Sequence, residues 1–157
     1  MDAFLAFKYL HILTMFAAVA AAMIPEVVLH ALARRRDAAA LRGFMPIAAT
    51  AGKLIPLLFM TGLVFGLIAA IAGQFDLLRP WLIAAYIIFA ASMATGALVS
   101  GPWAQRVGAA AFSTEGDSFS PELDDAVHDS RGTISTVFLM SSVVVLVFLM
   151  VVKPGGA

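Results

Sequence analysis

The segment MIPEVVLH, residues 23–30, places a carboxyl group and an imidazole within a long apolar stretch. Glu26 and His30 are four residues apart, so an α-helix brings them to the same face, one turn apart. A carboxyl and an imidazole at this spacing suit either a structural hydrogen bond or a proton-linked role. At about 100° per residue, Lys8 and His11 fall on the same side of the helix, in a wedge roughly 100° wide.

His11 is the candidate ligand for a metal ion or for haem. Neutral imidazole is the commonest metal ligand in proteins and also binds haem iron. The alternative is a hydrogen-bonded residue between helices, because no acidic residue neighbours His11 in the sequence. His128 is a weaker candidate, since it lies in an acidic stretch. The chain has no cysteine, which excludes thiolate metal sites and disulfides.

The composition places these residues in a membrane. Of the 157 residues, 62% are hydrophobic and 13% are charged, and the mean hydropathy is +0.96. Soluble domains are about 45–50% apolar and ~25% charged. The glycine patterns of nucleotide-binding loops and the HExxH zinc motif are absent, and nothing indicates nucleic-acid binding. We assign no catalytic residue, and the sequence leaves open whether the protein is an enzyme.

Long apolar segments predict an all-α fold, a bundle of four transmembrane helices. A spanning helix needs about 20 apolar residues, and residues 54–75, 81–105 and 133–152 contain no charge. The prediction is one membrane domain over residues 1–157, with helices at about 4–33, 46–75, 80–105 and 121–152 and a polar loop at about 106–131. In SPEL, Ser120 is the predicted N-cap and Pro121 the first helical residue of the last helix.

The distribution of basic residues predicts the orientation. Loops 1 and 3 of such a bundle share one side, and together they carry Arg34, Arg35, Arg36, Arg42, Arg106 and Arg131. The positive-inside rule then predicts a multi-pass protein of the inner (cytoplasmic) membrane with both termini outside. Loop 3 also carries acidic residues, which we expect to meet the arginines of loop 1: Glu115, Asp117, Glu122, Asp124, Asp125 and Asp129.

Glu26 is predicted to face the interior of the bundle. It lies eight residues before Arg34, about 12 Å along a helix, and a charge facing lipid costs roughly 3 kcal/mol. Lys53 lies on the same membrane side and is the simplest ion-pair partner. Glu26, His30 and Lys53 are therefore predicted to form a polar cluster that is either structural or proton-linked.

Small residues in the second and third helices predict close helix contacts. Gly62 and Gly66 have GxxxG spacing, and Ser92, Gly96 and Ser100 recur at every fourth residue. Packing within the bundle is the favoured interpretation, and dimerisation is the alternative.

Segments of all four predicted helices resemble a known group. FKYLHIL, GKLIPLLFMTGLVFGL, WLIAAYIIFAASMATGALVSGP and VFLMVVKP resemble an uncharacterised group of four-helix bacterial membrane proteins. That group is similar to the membrane domain of copper-resistance protein D and to HemJ-type protoporphyrinogen oxidases. The resemblance implies a four-helix membrane fold and, through the histidine of YLHIL, haem at His11. HemJ-type members carry a lysine soon after the tryptophan that opens helix 3, whereas Trp81 is followed by LIAAY, which argues against that oxidation.

Two functions are predicted for this chain, which in either case is surrounded by membrane lipid. In the first, the bundle binds b-type haem with His11 as an axial ligand, in a redox or haem-handling role. In the second, the chain is a non-catalytic accessory subunit that packs against a larger membrane complex or against copies of itself. A small proton-linked carrier that uses Glu26 is a third alternative.

Overall fold

Helices make up nearly all of the structure, a computed structural model that describes residues 2–114, 116 and 118–155. The elements are α1 (Ala3–Arg35), α2 (Ala38–Ala72), α3 (Pro80–Thr95), a π turn (Gly96–Ser100), α4 (Gly101–Ser113), α5 (Pro121–His128) and α6 (Ser130–Val152). α3, the π turn and α4 follow one another without a break. Within the described residues there is no strand, and four helical stretches are long and apolar enough to cross a membrane. The predicted all-α four-helix fold is confirmed.

Side-chain caps set the points at which these helices begin. Asp37 accepts a hydrogen bond from the backbone N–H of Ala40 at the start of α2. Only Arg36 and Asp37 separate α1 from α2. Ser120 accepts one from the N–H of Leu123, with Pro121 in the first helical turn. A short polar side chain satisfies the free N–H groups of the first turn in this way. The predicted helix start at Ser120 and Pro121 is confirmed, but the helix that begins there is α5, which ends at His128, and a separate helix α6 follows from Ser130.

The predicted bounds of two helices and of the polar loop are wrong. The second helix begins at Ala38 and not near 46, and the third continues to Ser113 and not to 105. The polar loop is shorter than the predicted 106–131, because α4 and α5 occupy much of that range. The prediction followed the apolar stretches, whereas alanine-rich segments continue a helix beyond the hydrocarbon.

The described elements form two antiparallel helix pairs. α1 packs along α2, and α3 packs along α6. The α1–α2 and α4–α5 connections lie at the same end of the molecule, which we call the arginine end. There the pairs are joined by a buried apolar core: Leu29, Ala38, Leu41, Met45, Trp103, Val107, Ala111, Leu123, Ala126 and Val127. Trp103 is 1% exposed at its centre.

Ion pairs hold α5 and the start of α6 against the other helices at the arginine end. The guanidinium of Arg36 lies 2.7 Å from the carboxylate of Asp124 and also stacks over the ring of Phe119. Arg106 pairs with Asp129. The expected contact between the arginines of loop 1 and the acids of loop 3 is confirmed for Arg36 and Asp124. Glu115 and Asp117 lie outside the described residues.

The outer surfaces of the long helices are apolar. Large hydrophobic side chains face outward along each of them, for example Phe16 at 72% and Leu98 at 76% exposed. Such continuous apolar surface is incompatible with water and is normal for helices surrounded by lipid. The chain is therefore a multi-pass membrane protein.

Gly132→Ala is expected to lower the free energy of unfolding by about 1–3 kcal/mol. A Cβ at this position would overlap the indole of Trp103, which is fully buried and cannot withdraw. Thermal unfolding in one mild detergent measures the change. Gly43→Ala is the matched control, because nothing lies within 4 Å of its added Cβ, and its stability should be equal or slightly higher. Equal loss in both variants would contradict the packing assigned to Trp103.

Candidate functional site

Glu26 is joined across the bundle to the last helix. Its Oε2 atom lies 2.8 Å from the hydroxyl oxygen of Thr136, which is 110 positions away in the sequence. The same hydroxyl oxygen lies 3.3 Å from Nε2 of His30, and the Glu26 and His30 side chains are 4.0 Å apart. Glu26, Thr136 and His30 therefore form one polar cluster, and it faces protein, as the helix wedge predicts.

The Thr136 hydroxyl has more neighbours than its single proton can satisfy. It lies 2.9 Å from the carbonyl oxygen of Gly132, in addition to Glu26 and His30. A hydroxyl donates one hydrogen bond and accepts up to two. It can donate to the Glu26 carboxylate while His30 donates to it, or donate to Gly132 while a protonated Glu26 donates to it. The cluster can thus hold a proton in two arrangements.

The indole ring of Trp103 packs against the imidazole of His30. The two rings are stacked, with centroids 5.1 Å apart and an angle of 23° between planes. The indole N–H of Trp103 donates to the backbone oxygen of Ala126 at 3.0 Å. Gly132 supplies the space for the indole, as described above. The cluster therefore borders the buried apolar core of the arginine end.

A cavity of about 390 Å³ lies beside this cluster, between the two helix pairs. It is lined by every membrane-crossing stretch, including Glu26 from α1, Gly52 from α2, Ser100 from the π turn and Thr136 from α6. The apolar part of the wall carries Phe59, Phe89 and Trp103. Cavities of this size, mostly apolar with a few polar groups, are typical of small-molecule sites.

The π turn brings a further polar group to the cavity wall. Ser100 is 6% exposed, and its hydroxyl has no hydrogen-bond partner among the described residues. Pro102 has no N–H, so the carbonyl of Leu98 loses its usual partner four residues on. The helix accommodates this by widening, with the N–H of Gly101 donating to Gly96. Such π turns often occur at functional sites.

An opening into the cavity lies between two helix contacts, one between aromatic rings and one at a glycine. Phe59 and Phe89 meet edge to face with centroids 6.0 Å apart, on the side away from the arginine end. On the other side, Met45 packs over Gly108. Between these contacts α2 and the π turn are apart, and Gly52, Pro56 and Ala97 line the cavity while remaining exposed. The opening faces the apolar, lipid-facing surface.

Lys53 lies apart from the polar cluster. Its side chain is exposed, and within the described ranges 2–114, 116 and 118–155 no ion pair joins it to Glu26. The helix geometry explains the separation, because Gly52 lines the cavity and Lys53 is the next residue, about 100° around α2. The expected Glu26–Lys53 pair is replaced by the Glu26–Thr136 hydrogen bond.

His11 lies in the contact between α1 and α2, 15 residues before Glu26 along α1. Its Nδ1 atom is 2.7 Å from the carbonyl oxygen of Gly62. A Cβ at Gly66 would come within 2.7 Å of the same ring, and one at Gly62 would overlap Met15. The GxxxG pair thus faces α1, which confirms the interpretation as packing within the bundle. His11 does not line the cavity near Glu26, and His128 is exposed beside Asp124.

Three residues of the site were not identified from the sequence. Thr136 is one of several hydroxyl residues in an apolar helix, and nothing local distinguishes it from the neighbouring serines and threonines. Ser100 was assigned to packing because of its spacing from Ser92 and Gly96, although Pro102 was a signal for an irregular turn. Trp103 gave no sign of its contact with His30.

Comparison with known proteins yields no relative. No family model, curated protein or solved structure matches the chain. The resemblance to the copper-resistance and HemJ-type groups therefore stays a prediction.

Thr136→Val should destabilise the protein by about 1–3 kcal/mol, because a partly buried carboxyl group loses its hydrogen-bond partner. Thr50→Val is the matched control: its hydroxyl is exposed and bonds to Pro46 four residues earlier, as Thr136 does to Gly132. Unfolding in the same detergent measures both. In a Glu26→Leu background Thr136→Val should cost distinctly less, and an undiminished cost would show that the Glu26 contact contributes nothing.

Proposed function

We propose that this membrane protein binds a small, mostly apolar molecule in the cavity between its two helix pairs. The observation that carries the proposal is the position of Glu26 and its hydrogen-bond partner Thr136 on an otherwise mostly apolar cavity wall. Convergent polar groups in an otherwise apolar cavity give a ligand its orientation. The residues with assigned roles bind and orient, and the proposal includes no catalytic step.

The opening between α2 and the π turn supports access from the bilayer. Gly52 and Ala97 leave the rim without large side chains, and the surface around it is apolar. A molecule dissolved in lipid could therefore enter without crossing water. This favours ligands that partition into membranes.

Gly52→Leu is expected to block the cavity. Nothing lies within 4 Å of a Cβ at Gly52, so the added side chain starts in open space, and its remaining atoms should narrow the opening. The measurement is photolabelling with adamantyl diazirine, a compact apolar probe, in lipid nanodiscs, with mapping by mass spectrometry. Peptides carrying Met23 and Met93, which line the cavity, should be labelled above the lipid-facing surface in the parent protein and fall to that level in the variant.

Gly43→Leu provides the matched control in the same helix. Its Cβ also meets nothing within 4 Å, and it does not line the cavity. Cavity labelling should be retained in this variant. Uniform labelling of cavity and lipid-facing peptides, or cavity labelling that survives Gly52→Leu, would refute binding in the cavity.

Haem binding at His11 is a second candidate, favoured by one hydrogen bond. The Gly62 carbonyl can only accept, so Nδ1 of His11 carries the proton. Nε2 is then the ring nitrogen with a lone pair, the arrangement common in histidines that bind metals. This tautomer would allow His11 to act as a single axial ligand. Bound b-type haem would supply one-electron chemistry, and His11 would hold and orient its iron.

The visible spectrum of protein purified in mild detergent tests this candidate. Haem bound through His11 should give a Soret band that is lost in His11→Ala and kept in His128→Ala, whose parent side chain is exposed at the arginine end. A colourless protein from haem-replete cells, or a band that survives His11→Ala, would count against it. Co-purification of a colourless protein with larger subunits would instead favour the accessory role.

The arginine end gives the proposed location and orientation. Most arginines of the chain lie in or beside the α1–α2 and α4–α5 connections. By the positive-inside rule this end is proposed to lie in the cytoplasm, and the resemblance to bacterial membrane proteins supports the inner membrane as the location. Both termini then lie outside.

A further inference from the structure

We infer that the cavity ligand is a compact organic cation, an ammonium group on a small apolar body. The inference rests on the proposed function and specifies its ligand. Three features of the cavity lead to it: the Glu26 carboxyl, which no lysine or arginine pairs with among the described residues, its free hydrogen-bond acceptors, and the aromatic walls.

No lysine or arginine in the described part of the chain pairs with the Glu26 carboxyl. Among the described residues its neighbours are the Thr136 hydroxyl and, at 4.0 Å, the imidazole of His30. Lys53 is exposed and makes no ion pair there. A carboxylate in an apolar membrane span is costly unless a positive charge or a proton compensates it. A ligand ammonium group in the cavity would provide that charge.

The free polar groups on the cavity wall are mainly acceptors. Thr136, Ser92 and Trp103 already donate to protein atoms or share their protons within the cluster. Glu26 retains free lone pairs and can accept, whereas the Ser100 hydroxyl oxygen is buried out of reach of a ligand. Gln105, at the exposed rim, is the exception, since its amide can both donate and accept. An ammonium group is a donor only and therefore complements this wall.

The rest of the cavity suits the body of an organic cation. Phe59 and Phe89 line it, and aromatic rings attract cations as well as apolar groups. A bare metal ion would need several oxygen ligands close together. Within the described part of the chain, no group of three or more histidine, aspartate or glutamate side chains could hold one. The volume of about 390 Å³ fits a ring-sized molecule better than a single ion.

Competition against the photoprobe tests the charge of the ligand. Adamantan-1-amine and adamantan-1-ol share one apolar cage and differ in the ammonium or hydroxyl group. In nanodiscs of neutral lipid at neutral pH, the amine should suppress cavity labelling at about tenfold lower membrane concentration than the alcohol. Glu26→Gln should remove this preference. Glu26→Asp, which keeps the charge, should retain part of it and guards against a loss caused by misfolding.

Glu122→Gln is the control for a general charge effect, because Glu122 is exposed on α5 outside the cavity, and the preference should persist. Equal competition by alcohol and amine in the parent protein, or a preference unchanged by Glu26→Gln, would overturn the cation assignment while leaving cavity binding intact. Absence of cavity labelling above the lipid-facing level would overturn the proposed function itself. The two failures are thus distinguishable.

Discussion

The bond between Thr136 and Glu26 is the interaction on which the membrane-embedded part of the structure depends. A carboxyl group in an apolar span must be satisfied by protein, because hydrocarbon offers no hydrogen bond. The bond joins the first and last long helices, each of which packs mainly against a different partner. It therefore links the two helix pairs on the arginine-end side of the cavity, and the position of the cavity follows from it.

The arginine end supplies the rigidity that this arrangement needs. Trp103 lies at the centre of the buried core and stacks on the His30 ring. Its indole N–H donates to the backbone oxygen of Ala126, and the absence of a side chain at Gly132 leaves room for the ring. Away from this end the helix pairs separate around the cavity. A buried core next to a cavity is consistent with a binding site positioned by rigid helices, since binding geometry is most accurate on rigid elements.

Much of the fold could be predicted from the sequence, because length and apolarity alone define membrane spans. The burial of Glu26 and His30 also followed from their helical spacing and from the cost of a charge in lipid. Their partner could not be predicted in the same way. The charge of Lys53 favoured it as the ion-pair partner of Glu26. However, a shift of one residue along α2, from Gly52 to Lys53, decides whether a side chain faces the cavity. The choice between Lys53 and Thr136 depends on helix rotation and register, which hydropathy does not encode.

The opening between α2 and the π turn has a consequence for how affinity must be expressed. A ligand that enters through Gly52 and Ala97 comes from hydrocarbon, so the bilayer acts as its reservoir. Two compounds with equal contacts inside the protein would then differ in apparent Kd by the ratio of their lipid–water partition coefficients. Dissociation constants referred to total aqueous concentration would rank ligands by lipophilicity, whereas mole fractions in the bilayer would rank them by fit.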